Sequence, residues 1–357
     1  MLDSALLASA MNCHLVVSHL LWPASAGTAS RDALVLPALE TLIARGQRTA
    51  IDGGSTERWL ASRFGVSRDG ETGLAPFSFR GEGGEPGEQG WLCADPVHLR
   101  IHADRVVLAD ASRLSLTAEE AEQLVATLNA HFAQDNLTFL APRPDRWYAR
   151  LAHAPALRTT PTAEVAGRGI ESCLPTGEEQ AHWRSIFNET QMLLHEHPCN
   201  QRREQKGELT VNSLWFWGAG EYSRPSADIR YGAVWSDDTA ARGLAHASGI
   251  PARALPQHCD EFLQYAGNDG LMRDSMHLVL LPPIPGAAYG DAEAWREAVE
   301  RIEQEWFAPL LDSTLAGKLS AITLDVLGPG RGLRVNFSRA HRLRLWRRRR
   351  RFADYCG

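Results

Sequence analysis

The sequence predicts an α/β fold, a mostly parallel sheet with helices on both faces that carries a small inserted α+β domain. Three observations lead there. Segments of strand and helix character alternate along the chain. A run rich in glycine, proline and charge interrupts that alternation between Gly65 and Gly90. The 357 residues, 44% of them apolar, suffice for two compact units or for one large domain with an insertion.

The elements follow in order. His14 to Leu21 is apolar enough for a buried strand, and "LPALETLIARG" has apolar residues at helical spacing before a glycine stop, which gives a βα opening. Gly65 to Gly90, with "GEGGEPGEQG", reads as an exposed loop or linker. "WLCADPVHLRIHADRVVLAD" reads as strands turning at Ala103-Asp104, and Thr117-x-x-Glu120 forms a capping box for a helix through about His131. Thr176-x-x-Glu179 is a second capping box, opening a helix whose apolar face is Trp183, Ile186, Phe187, Met192 and Leu193 and which Pro198 ends. "VNSLWFWGAG" (211–220) has the content of a buried strand, closed by a glycine turn that permits a sharp bend or close backbone approach. Residues 229–256 read as strand, helix and strand, and "MHLVLLPPIP" begins as an apolar strand. Asp291 to Leu311 is a long amphipathic helix with Trp295, Val299, Ile302 and Trp306 on one stripe, and "LSAITLDVLGPG" is a further buried strand.

Net charge is −6, so the molecule as a whole gives no electrostatic case for nucleic acid or membrane. Charge is nonetheless uneven, because "RAHRLRLWRRRRR" (339–351) concentrates eight arginines. That segment reads either as a solvated basic end that docks on the acidic protein itself, or as a phosphate contact through Arg347, Arg348, Arg349, Arg350 and Arg351 with Trp346 stacking on a base. No apolar run approaches the roughly 18 to 20 residues that span a bilayer, so no membrane partner is expected. The six cysteines are scattered without a C-x-x-C pair, which suits reduced thiols and a cytoplasmic location. The start has no basic residue before Arg31, its best apolar run is broken by His19, and it reads as a short tail plus the first strand.

"HPCNQRREQKGELTVNSLWFWGAG" (197–220) resembles the archaeal-type cofactor-independent phosphoglycerate mutases, whose segment reads approximately HPVN-x-x-R and then NAIWLWGQG. "WLCADPVHL", "LTAEEAEQLVATLN", "RYGAVWSDDTAARGLAHASGI" and "EAVERIEQEWFAPLL" are similar to further segments of that family, so the resemblance covers nearly the whole chain. A closer resemblance, on "LLWP" and "WLCADPVHL", is to bacterial proteins labelled regulators of pathogenicity factors, type E. The resemblance implies an alkaline-phosphatase-like core over 11–75 and 176–338, an inserted domain over 76–175, and an Arg-rich tail over 339–357. It also implies that 211–217 is a central strand whose glycine exit borders the active-site cleft, with Glu221 and Arg224 as cleft-lining candidates.

Active members of that family hold two divalent cations on Asp and His residues to neutralise a phosphoryl group and activate a serine. Here the first strand runs into Ser18-His19-Leu20-Leu21-Trp22 where an Asp-Gly is expected. Ile284 to Ala288 replace an Asp-Glu-Ala-Gly-His motif, Asp325-Val326-Leu327-Gly328-Pro329 keeps an Asp but loses its His, and Val335-Asn336 replaces a final Asp-His. One carboxylate cannot hold two metals, so no metal and no other cofactor is expected, and the mutase chemistry is expected to be lost. "GGST" (53–56) matches the nucleophile loop approximately, which leaves Ser55, Asp325 and His19 as vestigial catalytic candidates. Two of them have a plainer reading: Ser55 as a loop serine capping a helix, Asp325 as a solvated or hydrogen-bonded strand-end carboxylate. His195-Glu196-His197 reads as a charge-compensated helix terminus and Cys93 as a small core residue. His98, His102 and His258 are the other sources from which a metal site could be rebuilt, though their spacing does not recommend them. The expected function is therefore that of a regulatory or binding protein whose partner is another protein or a small phosphorylated ligand. The alternative is a phosphoester enzyme with an altered, metal-independent site.

Overall fold

The computed structural model describes residues 11–21, 34–268 and 275–355. Trp22, Cys356 and the residues before Met11 lie outside them. The chain divides into two units, Met1–Thr56 with Asp228–Gly357, and Glu57–Ala227.

The first unit is built on a seven-stranded sheet in the order β11-β10-β12-β1-β13-β14-β2. These strands, numbered in chain order, are β1 (Met11–Ser18), β2 (Gln47–Ile51), β10 (Tyr231–Trp235), β11 (Ala252–Arg253), β12 (Met276–Leu280), β13 (Leu319–Gly328) and β14 (Arg331–Ser338). From β11 to β13 all neighbours are parallel, and β14 and β2 close the edge antiparallel. The parallel part follows from βα alternation, as in Tyr231–Trp235 followed by the helix Thr239–Ser248, which Asp238 caps and Gly249 ends in the left-handed conformation. One face of the sheet buries Cys13, Leu15, Val17, Leu324 and Val326 against the helix Pro37–Arg45 and the helical run from Ala292 to Leu315, whose Trp295, Val299, Trp306 and Phe307 fill that layer.

The second unit holds a five-stranded sheet, β4-β3-β6-β5 with β9 on the other edge of β3. Its strands are β3 (Gly90–His102), β4 (Arg105–Ala109), β5 (Thr138–Arg143), β6 (Arg146–Leu151) and β9 (Ser213–Glu221), with a separate pair β7 (Leu157–Arg158) and β8 (Thr176–Gly177). The turn at Ala103-Asp104 and the Thr117–Glu120 capping box form as the sequence predicts. The helix it opens, Ala118–His131, packs with Gln180–His195 over Trp147, Phe139 and Phe216.

Several expectations are corrected. The aromatic strand is not central to the parallel sheet. It pairs antiparallel with β3, Trp215 opposite Asp95, and so pulls residues up to 227 into the second unit, whose bounds of 57–227 replace the expected insertion of 76–175. The Gly65–Gly90 run is not all loop, since Ala75–Gly81 is a helix with Phe77 buried and Phe79 stacked on Trp91 at 4.3 Å. Thr176 does not cap a helix, because it lies in β8 opposite Arg158, and Glu179 accepts instead from the Ala156 amide at 2.7 Å. Met192 is off the apolar face at 75% exposure. The Arg-rich end lies against the first unit, with Arg349 3.4 Å from the buried Glu40 and Phe352 buried in its core, in line with the alternative of docking on the protein itself.

Candidate functional site

The first unit places a buried polar chain across its sheet. Side chains of a strand alternate between faces, so the residues that send Cys13, Leu15 and Val17 into the core leave His14, Val16 and Ser18 on the other side. Asp325, fully buried, lies opposite Val16 in the register of β1 and β13 and faces Arg334 across the β13–β14 hairpin. Arg334 clamps it with two parallel bonds, Nε to Oδ1 at 2.7 Å and Nη2 to Oδ2 at 2.5 Å. His14 Nε2 stands 3.1 Å from Oδ2, and its Nδ1 lies 2.8 Å from the Tyr231 hydroxyl. In the neutral imidazole that arrangement has Nε2–H donating to the carboxylate and Nδ1 accepting from Tyr231. Burial pushes the Asp325 carboxyl up, but the bonds from Arg334 and His14 outweigh burial and hold it well below the usual carboxylate range.

This donor set does not fit a pair of divalent cations. Both oxygens of Asp325 already face cationic or donating groups of the protein. Among the described residues, no three His, Cys, Asp or Glu side chains gather closely enough to hold a metal ion, and His98, His102 and His258 form no such cluster.

Ser55 is buried in a loop fixed by its glycines. The Gly54 amide donates to the Gly328 carbonyl at 3.0 Å, and a Cβ on Gly53 would collide with the Arg331 backbone. His19 turns the chain after β1 in the left-handed region, at φ 61°, with its carbonyl accepting from Trp295 Nε1 at 2.9 Å. A Cβ on Gly328 would meet Leu21, so the Ser55 loop and the His19 turn meet at the carboxyl end of β13, while Asp325 sits three residues inside. Glu221 and Arg224 belong to the second unit. His14, Tyr231 and Arg334 were not singled out in the sequence, and the available signal was a histidine alternating with core residues in an apolar strand.

The second unit contains a cavity of about 730 Å³ whose lining includes Arg68, Arg158, Arg224, Glu71, Glu221 and the Ala219-Gly220 backbone. Glu71 organises its wall. Its Oε2 accepts from the Thr159 amide at 2.5 Å and hydroxyl at 2.7 Å, and its Oε1 from the Thr72 amide at 2.9 Å and the Gly218 amide at 3.1 Å. Burial pushes this carboxyl up, and the bonds from Thr159 and Thr72 act in the other direction. Gly218 reaches Glu71 because β9 carries one extra residue against β3 between Trp217 and Gly220, a bulge that Gly218 absorbs at φ 75°. Gly220 is needed for contact: a Cβ there would stand 2.8 Å from the Gly73 carbonyl oxygen. The aromatics before the glycines are core, and Trp217 Nε1 donates to the buried Asp95 at 2.7 Å. His197 caps the helix Pro198–Gln205 by accepting from the Cys199 amide at 3.1 Å, and Cys93 is a buried thiol whose pKa burial raises.

No family model matches the chain. It is 26% identical over 240 residues to the 2,3-bisphosphoglycerate-independent phosphoglycerate mutase of Methanosarcina mazei, covering 62% of this chain and 60% of that protein. It is 28% identical over 172 residues to 2,3-bisphosphoglycerate-independent phosphoglycerate mutase 2 of Methanothermobacter thermautotrophicus, covering 44% and 42%. The matched part thus spans about 60% of the length of the Methanosarcina protein. The PH0037 protein of Pyrococcus horikoshii shares the fold, with a TM-score of 0.53 at 12% identity over 91% of this chain and 87% of that one. The chain is thus similar in sequence to archaeal 2,3-bisphosphoglycerate-independent phosphoglycerate mutases and shares the fold of the Pyrococcus horikoshii protein.

Proposed function

We propose that this phosphoglycerate-mutase-like protein works by binding and not by metal-assisted phosphoryl transfer, as a regulatory protein of the cytoplasm. The observation that carries the reading is the state of Asp325, the one expected metal ligand the chain keeps, whose carboxylate is held by Arg334 and His14. Two metals facing a phosphoryl group need several oxygen or nitrogen donors, and a carboxylate saturated by a guanidinium is a poor one. The ligand suited to the cavity of the second unit is a small phosphorylated or carboxylated molecule. Among the described residues, the Arg68, Arg158 and Arg224 side chains on its wall have no hydrogen-bonded or ion-paired partner and are open to bidentate capture of an anion. The five cysteines within the described residues are free thiols, in keeping with a reducing compartment.

A second reading rests on the Asp325–His14–Tyr231 chain, a carboxylate orienting an imidazole that contacts a hydroxyl, which has the form of an acid–base relay for metal-independent phosphoester chemistry. One experiment separates the two. Purified protein is exposed to manganese, magnesium and zinc, analysed for metal content, and assayed for conversion of 3-phosphoglycerate to 2-phosphoglycerate with and without chelator. The expected result is substoichiometric metal and no turnover. Near-stoichiometric metal with turnover refutes the binding reading, and chelator-resistant turnover that Tyr231→Phe removes establishes the second.

A further inference from the structure

The Arg-rich segment divides its side chains between two tasks. One set fastens it to the first unit. Arg344 and Arg347 donate to the Arg45 and Gly46 carbonyls, at 3.2 and 2.9 Å, at the carbonyl end of the Pro37–Arg45 helix, where cations are favoured. Arg349 pairs with the buried Glu40 at 3.4 Å, and the same Glu40 accepts from the Phe352 amide at 3.0 Å while the Phe352 ring fills the core. The other set points to solvent. Leu343, Leu345 and Trp346 are 66, 69 and 75% exposed, and Arg342, Arg348 and Arg350 are exposed with no hydrogen-bonded or ion-paired partner among the described residues.

Three large apolar side chains within four positions, held out of a core that lies six residues away at Phe352, are more than the scattered exposed leucine of an ordinary surface. The unpaired Arg342, Arg348 and Arg350 flank them in a chain of net charge −6, so the local charge opposes that of the whole. From this we infer that the segment is a docking surface for an anionic lipid bilayer, on which the protein lies without spanning it. Arginines would contact lipid phosphates, Trp346 would sit at headgroup level, and the two leucines would enter the acyl boundary. The leucines decide between lipid and nucleic acid: a base offers Trp346 a stacking face but offers Leu343 and Leu345 no apolar phase to enter. The expectation of no membrane partner rested on the lack of a spanning run. No helix of the described residues is long and apolar enough to cross a membrane, which bears on spanning and not on surface adsorption.

The test is co-sedimentation of the full chain with vesicles of phosphatidylcholine alone and of phosphatidylcholine containing about a third phosphatidylglycerol. Binding is expected to the anionic vesicles only, and to fall steeply between about 0.05 M and 0.5 M salt. The combined substitution Arg342→Ala, Arg348→Ala, Arg350→Ala should weaken it on the order of a hundredfold. Leu343→Ser with Leu345→Ser should weaken it roughly tenfold or more, leaving the unfolding midpoint unchanged. The inference is overturned by absence of binding at low salt, by equal binding to neutral vesicles, or by leucine variants that bind like the parent. It is equally overturned if a single-stranded oligonucleotide displaces the vesicles and binds the leucine variants with undiminished affinity.

Discussion

Asp325→Ala distinguishes a structural carboxylate from a metal ligand. The substitution strips Arg334 of both its acceptors and His14 of one. Removing one partner of a buried ion pair costs about 3–5 kcal/mol. The Arg334 side chain is 33% exposed, so water recovers part of the guanidinium hydration and the lower end, about 3 kcal/mol, is the working figure. At roughly 2–4 °C per kcal/mol for a unit of this size, the midpoint should fall by about 6–12 °C. The assay is thermal and urea unfolding at neutral pH, run in parallel with EDTA and with manganese. A structural pair gives the same loss in both solutions. The leucine pair Asp325→Leu with Arg334→Leu should recover most of it, since similar-sized apolar side chains replace a buried ion pair at little cost. The sign with pH follows from the depressed carboxyl: its stabilisation is present above the ordinary carboxylate range and is lost as pH falls toward the lowered value. Asp325→Asn should therefore lose less stability on acidification than the parent. The reasoning is refuted if EDTA lowers the midpoint of the parent and Asp325→Ala abolishes that difference, or if Asp325→Ala shifts the midpoint by less than about 2 °C.

Two further outcomes are expected. Glu71→Gln sets an NH₂ group against the donors of Thr72, Thr159 or Gly218, and should cost on the order of 2–4 kcal/mol at neutral pH, read by urea unfolding. The Glu71 carboxyl is raised, so the parent binds its proton more tightly when folded. Its contribution is full below the ordinary glutamate range and falls as pH rises through the raised value, and the difference between parent and variant should narrow in that direction. Gly220→Ala drives a Cβ to 2.8 Å from a backbone oxygen and should destabilise by about 1–3 kcal/mol. Gly249→Ala, where no atom lies within 4 Å, should show only the cost of its left-handed backbone, about 1 kcal/mol, and equal losses at the two sites would contradict the close-approach account of Gly-x-Gly.

By itself the sequence determined what is local. The alternation of strand and helix, the Thr117–Glu120 box, the turn at Ala103 and the helical stripe through Trp295 and Trp306 each depend on residues within one or two turns of one another. The similarity to the mutases was likewise legible, since it resides in the order of contiguous segments. Tertiary structure decided what depends on distant partners. A continuous apolar and aromatic run makes 213–221 a buried strand but cannot say which sheet it joins, and its pairing with β3 moved the unit boundary. Glu71 meets Thr159 and Gly218 across 88 and 147 residues, and that bond explains the glycine after the tryptophans. Asp325 could be recognised as the surviving acid, yet its role followed from a hairpin that sets Arg334 beside it and a parallel neighbour that brings His14. The arginines at 339–351 could be counted in the chain, but only folding sorted them into those that bond helix carbonyls or Glu40 and those left facing solvent. A carboxylate or a guanidinium acquires its role from the charges and donors around it, and long-range packing sets those.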